Sequence, residues 1–213
     1  MENKNVNELK KVENKNNVAS IVFAVFALVV AIIGVSVALW TWSFTGDANT
    51  LSTGSISLTM HESNDVISIT NVMPMSDANG KTLAPDKAFD FAVTSVTTGG
   101  PGTMTYSINV TKVAVDSGNN AFANSNIKFY LTKLSGTSET QVLAPTLAST
   151  VMGDTGSTGT LATSLTHSHT SAGTVKTNYR FRMWVDFNTD ASGWTASSKL
   201  QYKVKLGVSG TLA

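Results

Sequence analysis

Three histidines carry most of the chemistry this chain could perform, and their spacing limits it. His167 and His169 stand two residues apart, so in an extended segment both rings project from one side. Two imidazoles so placed could begin a metal site, but the surrounding Ser/Thr-rich stretch is a poor source of partners to orient them. His61 precedes Glu62, yet hydrolytic zinc on a helix needs a second histidine one turn further, as in H-E-x-x-H. No metal or other cofactor is therefore expected. There is no cysteine, and no serine has a plausible base partner in the sequence, so an enzyme is not expected either.

Asp186, Asn188 and Asp190 alternate as calcium-loop oxygens do, but the sixth-position glycine and twelfth-position glutamate are missing. A polar hairpin tip explains the triplet equally well. Asn109-Val110-Thr111 is a lone glycosylation sequon. A net charge of +1 and the lack of a phosphate-binding loop argue against nucleic acid.

The clearest cationic group lies near the C-terminus. If the strand ending at Phe187 pairs with the one starting at Leu200, Arg182 faces Lys205 and Trp184 faces Lys203 on one outward surface. Lys176, Arg180 and Lys199 extend it. Such a face is either simply solvated or meets an acidic neighbour, a polysaccharide or a lipid headgroup.

The elements that must position these residues begin after an uncharged run from Val18 to Trp42. About 20 apolar residues suffice to cross a bilayer as a helix. The lead before it, residues 1–17, carries Lys4, Lys10, Lys11 and Lys15, and the next lysine is Lys81. That bias holds the N-terminus in the cytoplasm and sends the remainder outside. The run reads either as a retained anchor or as a cleavable signal. For the second reading, small residues stand at the required spacing before candidate cleavage points at Ala38 and Ser43.

Beyond Gly54 the apolar residues alternate with period two. Ile56, Leu58 and Met60 form one such set, Ile67 and Ile69 a second, and Phe89, Phe91 and Val93 a third. Met104 to Val110 follows, with a slip at Thr111-Lys112 that reads as a bulge, then Ile127 to Leu131 and a weak strand at Val142. Residues 146–174 read as a surface loop or hairpin with at most a short strand around Leu161 and Leu165. Two clear strands, Tyr179–Phe187 and Leu200–Val208, close the chain. No convincing helical period appears after residue 43. The expectation is an all-β protein, a jelly-roll or immunoglobulin-like antiparallel sandwich over residues 55–213, preceded by a signal or transmembrane helix. The stretch 43–54 reads as a linker, a first strand, or a strand donated to another copy, with Phe44 and Leu51 as apolar anchors and Asp47 between them.

Charge is split along the exported part. Seven acids face three bases from Phe44 to Asp116, and four acids face eight bases from Ser117 onward, which suggests head-to-tail contact between copies.

The junction Trp40-Thr-Trp-Ser-Phe-Thr-Gly-Asp-Ala-Asn-Thr-Leu-Ser-Thr-Gly-Ser-Ile-Ser-Leu58 resembles the start of the TasA/camelysin family of secreted biofilm fibre proteins. Thr41, Trp42 and Ser43 are similar to the end of that family's SipW-type signal peptides. Phe44, Asp47, the Thr53–Leu58 strand and Glu62 follow in the family's order. The segment Ile69 to Gly80 is similar to the family's N-(L/V)-x-P-G-D turn, and Phe89 and Phe91 follow it as alternating aromatics do there. The resemblance implies a jelly-roll, processing by a dedicated signal peptidase, and assembly into extracellular matrix fibres in which a freed N-terminal strand adds to a neighbour. The alternative is a membrane-anchored surface domain that binds a partner or glycan through the basic residues Lys176, Arg180, Arg182, Trp184, Lys203 and Lys205.

Overall fold

The computed structural model describes residues 42–45, 49–53, 56–62 and 66–212. The lead, the apolar run before Trp42, and with them Ala38, lie outside the described residues, as does Asp47. Among the described residues no helix is long and apolar enough to cross a membrane. Trp42 opens the first described strand.

Among the described residues twelve strands follow in order: β1 Trp42–Thr45, β2 Asn49–Thr53, β3 Ile56–Glu62, β4 Ile67–Thr70, β5 Phe89–Thr97, β6 Gly102–Lys112, β7 Asn120–Ala121, β8 Ile127–Ser135, β9 Ser138–Leu147, β10 Thr158–His169, β11 Gly173–Val185 and β12 Leu200–Leu212. Two one-turn helices interrupt them, α1 Asp77–Lys81 and α2 Ala148–Met152. The first sheet runs β1-β12-β6-β10, with β4 and β7 also on β12; the second runs β2-β3-β5-β11-β8-β9. All pairings between these strands are antiparallel except the short contact of β7 with β12.

Period-two alternation explains why the sheets face each other. Tyr202, Val204, Leu206 and Val208 of β12 and Met104, Tyr106, Ile108 and Val110 of β6 are all buried. Phe91 and Val93 of β5, Phe129 and Leu131 of β8, and Tyr179, Phe181 and Met183 of β11 meet them from the other side in one core. Ring contacts cross the interface, as between Phe129 and Tyr202 with centroids 6.2 Å apart. This is a β-sandwich of two stacked sheets.

Several expectations change. Residues 146–174 are not a long surface loop: β10 is a full twelve-residue strand, paired with β6 from Thr158 to His169. Its low apolar content hides the inward register of Leu161, His167 and His169, all buried. The slip at Thr111-Lys112 is no bulge. The register of β6 with β12 is unbroken from Met104 to Lys112, and the strand stops where Val113 N–H bonds the Lys203 carbonyl. The irregular register lies instead in β10, between Thr160 and Leu165, and where β8 meets β9.

The C-terminal hairpin does not exist. β11 pairs with β5 and β8 in the second sheet, while β12 is central to the first. Both strands carry apolar residues at alternate positions, and they bury them by facing each other across the core rather than side by side. Arg182 therefore lies opposite Tyr130, and Trp184 opposite Lys128, instead of beside Lys205 and Lys203.

Candidate functional site

The leading segment closes one flank of the sandwich. Strand β1 lies along Gly207–Gly210 of β12, with Phe44 opposite Val208 and Ser43 opposite Ser209. Three residues later β2 joins the other sheet, with Leu51 opposite Leu58 of β3. Residues 42–53 thus supply an edge strand to each sheet, and the stretch expected as linker or donor is paired within its own chain. Strand β4 continues along the same edge of β12, its Ile67–Thr70 pairing with Val204–Gln201.

Behind β4 a cleft of about 670 Å³ opens between the sheets, walled by Ile67, Ile69, Val72, Phe89, Phe181 and Met183. The Val185 carbonyl accepts the Met75 N–H on this side.

The two sheets are also tied by a buried polar knot. His167 Nδ1 and His169 Nε2 lie 2.9 and 2.8 Å from the same Ser95 Oγ. His167 Nε2 reaches Thr177 Oγ1 at 2.9 Å and Tyr106 Oη at 3.2 Å, and Tyr106 Oη lies 2.7 Å from Tyr179 Oη. Ser95 is fully buried, and both imidazoles are nearly so. Burial pulls the His167 pKa down to about 4, with further help from the neighbouring charges of His169 and Lys133. Burial likewise pushes the Tyr106 and Tyr179 phenols up. A serine beside an imidazole has the parts of a nucleophile, but with Ser95 sealed in the core it acts as a cross-sheet tie. Pattern reading noticed the two histidines and missed Ser95, although Ser95 continues the inward parity of Phe89, Phe91 and Val93.

The residues expected to form a cationic contact face are dispersed, and most are neutralised. Arg182, 4% exposed, donates to Glu139 at 2.6 and 2.9 Å and to the Leu83 carbonyl at 3.0 Å. Arg180 donates to Asp90 at 2.6 and 2.7 Å and to Glu139 at 2.8 Å. Those bonds, Arg182 first, hold the Glu139 carboxyl at about 2. Trp184 is buried under α1, against Gly80. Lys203 donates to Asp116 at 2.6 Å. Lys205 is half-buried on β12, and Lys176 is exposed on β11, in the other sheet. Acids from the first half and bases from the second meet within one chain, as Asp77 with Lys128, Asp90 with Arg180 and Asp116 with Lys203. Three first-half acids are thus paired with second-half bases inside the same chain.

The Asp186–Asp190 stretch also resolves into separate contacts. Asp186 lies 3.1 Å from Lys128 Nζ, which also donates to Asp77 at 2.9 Å, so an ammonium occupies the position between these carboxylates. Asp190 accepts the Ser192 N–H at 2.9 Å, and Asn188 reaches Asp186 only at 3.5 Å. Among the described residues no group of three or more His, Cys, Asp or Glu side chains is placed to hold a metal. Asn109 Nδ2, the sequon nitrogen, donates to Ser209 Oγ at 2.9 Å.

A scan against protein-family models and a search of curated proteins gave no match to this chain.

Proposed function

We propose that this chain is a secreted structural subunit that builds extracellular fibres by exchanging its leading segment between copies. The observation carrying this reading is that residues 42–53 form an edge strand in each of two sheets. An edge strand at a chain terminus can leave its own sheet and pair identically with a neighbour's, at little cost in contacts. The lone chain then holds the closed form, and high local concentration favours the exchanged one. Each transfer is head-to-tail, so repetition gives a filament. The lysine-biased lead and uncharged run before Trp42 support export across a membrane. The crossing of successive strands between sheets accords with a jelly-roll. In this reading the partners are further copies, a signal peptidase and matrix components, and the protein has no catalytic role.

The chain lacks cysteine, which gives a clean test. Thr45 and Gly207 lie directly opposite in the β1–β12 pair, downstream of both candidate cleavage points, so Thr45→Cys with Gly207→Cys places two thiols at cross-strand distance. In filaments recovered from culture, oxidation should give a ladder of covalent oligomers on a non-reducing gel, and monomers should remain single. Filaments that yield only internally closed monomer would refute exchange. N-terminal sequencing of the same material should begin near Leu39 or Phe44; an intact Met1 would instead assign the body to a retained anchor.

A further inference from the structure

We propose that Ser95, His167 and His169 form an acid-released latch that holds edge strand β10 to the facing sheet. This goes beyond the fibre reading and does not rest on it.

Among the described strands β10 is the outer member of the first sheet and pairs with β6 alone. Its register with β6 slips twice, and Ser164 there adopts a positive φ of 56°. Its hold on the facing sheet depends on what its inward side chains grip. At its C-terminal end that grip is the two imidazoles: His167 reaches Ser95 on β5 and Thr177 on β11, and His169 reaches the same Ser95 oxygen.

Proton counting shows why the grip requires neutral rings. A neutral imidazole offers one N–H and one lone pair, and a serine hydroxyl has one proton to give. Ser95 Oγ can receive a proton from one ring and donate its own to the other, so all contacts are satisfied in a single direction. Once His167 is protonated, both its nitrogens carry N–H, so Ser95 Oγ must accept at Nδ1 and Thr177 can no longer donate to Nε2. A positive charge then sits in a dry interface.

The groups packed around the pair do not relieve that charge. Strand β6 contributes Tyr106, β11 contributes Thr177 and Tyr179, and β5 contributes Ser95. The charges acting on His167 are those of His169 and Lys133 of β8, both of the wrong sign. The sign follows. Exposed imidazoles hold protons more readily than this buried one, so acid favours the state in which β10 has swung out. Release would leave β6 as a sheet edge with its N–H and C=O groups unpaired along Gly102–Thr111.

Hydrogen exchange on the full-length chain in detergent, at pH 7.5 and 4.5 and corrected for intrinsic rates, tests the latch. Protection of Leu165–His169 and of the facing Gly102–Tyr106 amides should fall at least tenfold more on acidification than that of β8. His167→Gln with His169→Gln, which keeps amide hydrogen bonding without titration, should abolish that difference. Equal loss in β10 and β8, or the same pH response in the double variant, overturns the proposal. Should the double variant not fold, Ser95→Ala decides. Removing the shared oxygen should speed β10 exchange at least tenfold already at pH 7.5 while β8 stays unchanged, and unaltered β10 protection refutes the latch.

Discussion

Gly80 of α1 lies flat against the indole of Trp184, so close that a β-carbon on residue 80 would overlap the ring. Trp184 points away from the core between the sheets, yet it is only 1% exposed because residues 76–84 cover it. Tyr130 packs edge-on beside it with centroids 6.4 Å apart. Gly80→Ala must push α1 off this surface, and overpacking of this kind costs about 2 kcal/mol. Chemical denaturation should show the loss, together with a rise in tryptophan emission wavelength as water reaches the indole. Unchanged stability would mean that α1 is not seated there.

Glu139 supports stability at neutral pH and stops doing so in acid. Its carboxyl is held at about 2 by the Arg182 guanidinium, with Thr132 and Arg180 adding to the effect, against an ordinary value near 4.5. A depressed carboxyl contributes fully above its unfolded value and loses that contribution as pH falls from about 4.5 toward 2. Glu139→Gln should therefore flatten the stability profile across that window. At pH 7 it also leaves the buried Arg182 without its anion, a loss of about 2 kcal/mol once Glu139's partial exposure is discounted. Thermal unfolding measured from pH 2 to 7 reads both effects.

The strands that carry the core were open to pattern reading because their inward residues are large and apolar. Phe89, Phe91 and Val93, or Tyr202, Val204 and Leu206, can be read from period two alone. Their partners could not. Alternation states which side of a strand is buried but not which sheet the strand joins, so two adjacent alternating strands imply a hairpin although β11 and β12 oppose each other across the core. The burial of Arg182 and Trp184 escapes alternation for a second reason. Strand β11 is covered on both faces from Phe181 to Val185, so the outward positions there are buried as well. Strand β10 failed by composition: an inward histidine looks like loop polarity until Ser95 and Thr177 are found opposite it. The leading segment was legible as extended chain, but not whose sheets it would complete.

Asn124 should be among the least replaceable polar residues. It is buried, and every polar contact of its amide is used. Oδ1 accepts from Lys112 Nζ and Tyr202 Oη, both at 2.9 Å, and Nδ2 donates to the Gly153 and Gly156 carbonyls at 2.8 and 2.9 Å. Asn124→Leu is close in size but strands two carbonyls and the Tyr202 hydroxyl. Unsatisfied buried groups cost on the order of 1–3 kcal/mol each, so a loss of about 4 kcal/mol in urea unfolding is expected. A loss under about 1 kcal/mol would show that water replaces the amide without penalty.

Gly210 tests the flank that the leading segment closes. It lies on β12 opposite Trp42 of β1 on one side and Tyr106 of β6 on the other. A β-carbon there would stand 2.8 Å from Leu58 Cδ2 and 3.3 Å from Met104 Sδ. Both are ends of flexible side chains that can rotate, but the Thr105 carbonyl, also 3.3 Å away, is backbone, so Gly210→Ala should cost about 2 kcal/mol. Gly210→Val cannot be absorbed so easily, because two further methyl groups drive Leu58 outward. Leu58 lies opposite Leu51 of β2 and Ser95 of β5, so its displacement strains the pairing of the leading segment with β3. The valine variant should lose about 3 kcal/mol of global stability. It should also speed amide exchange in β2 and β3 more than in β8 and β11, which lie further into the second sheet. A uniform increase across all four strands would mean that Gly210 serves only general packing and that the closing segment is not selectively loosened.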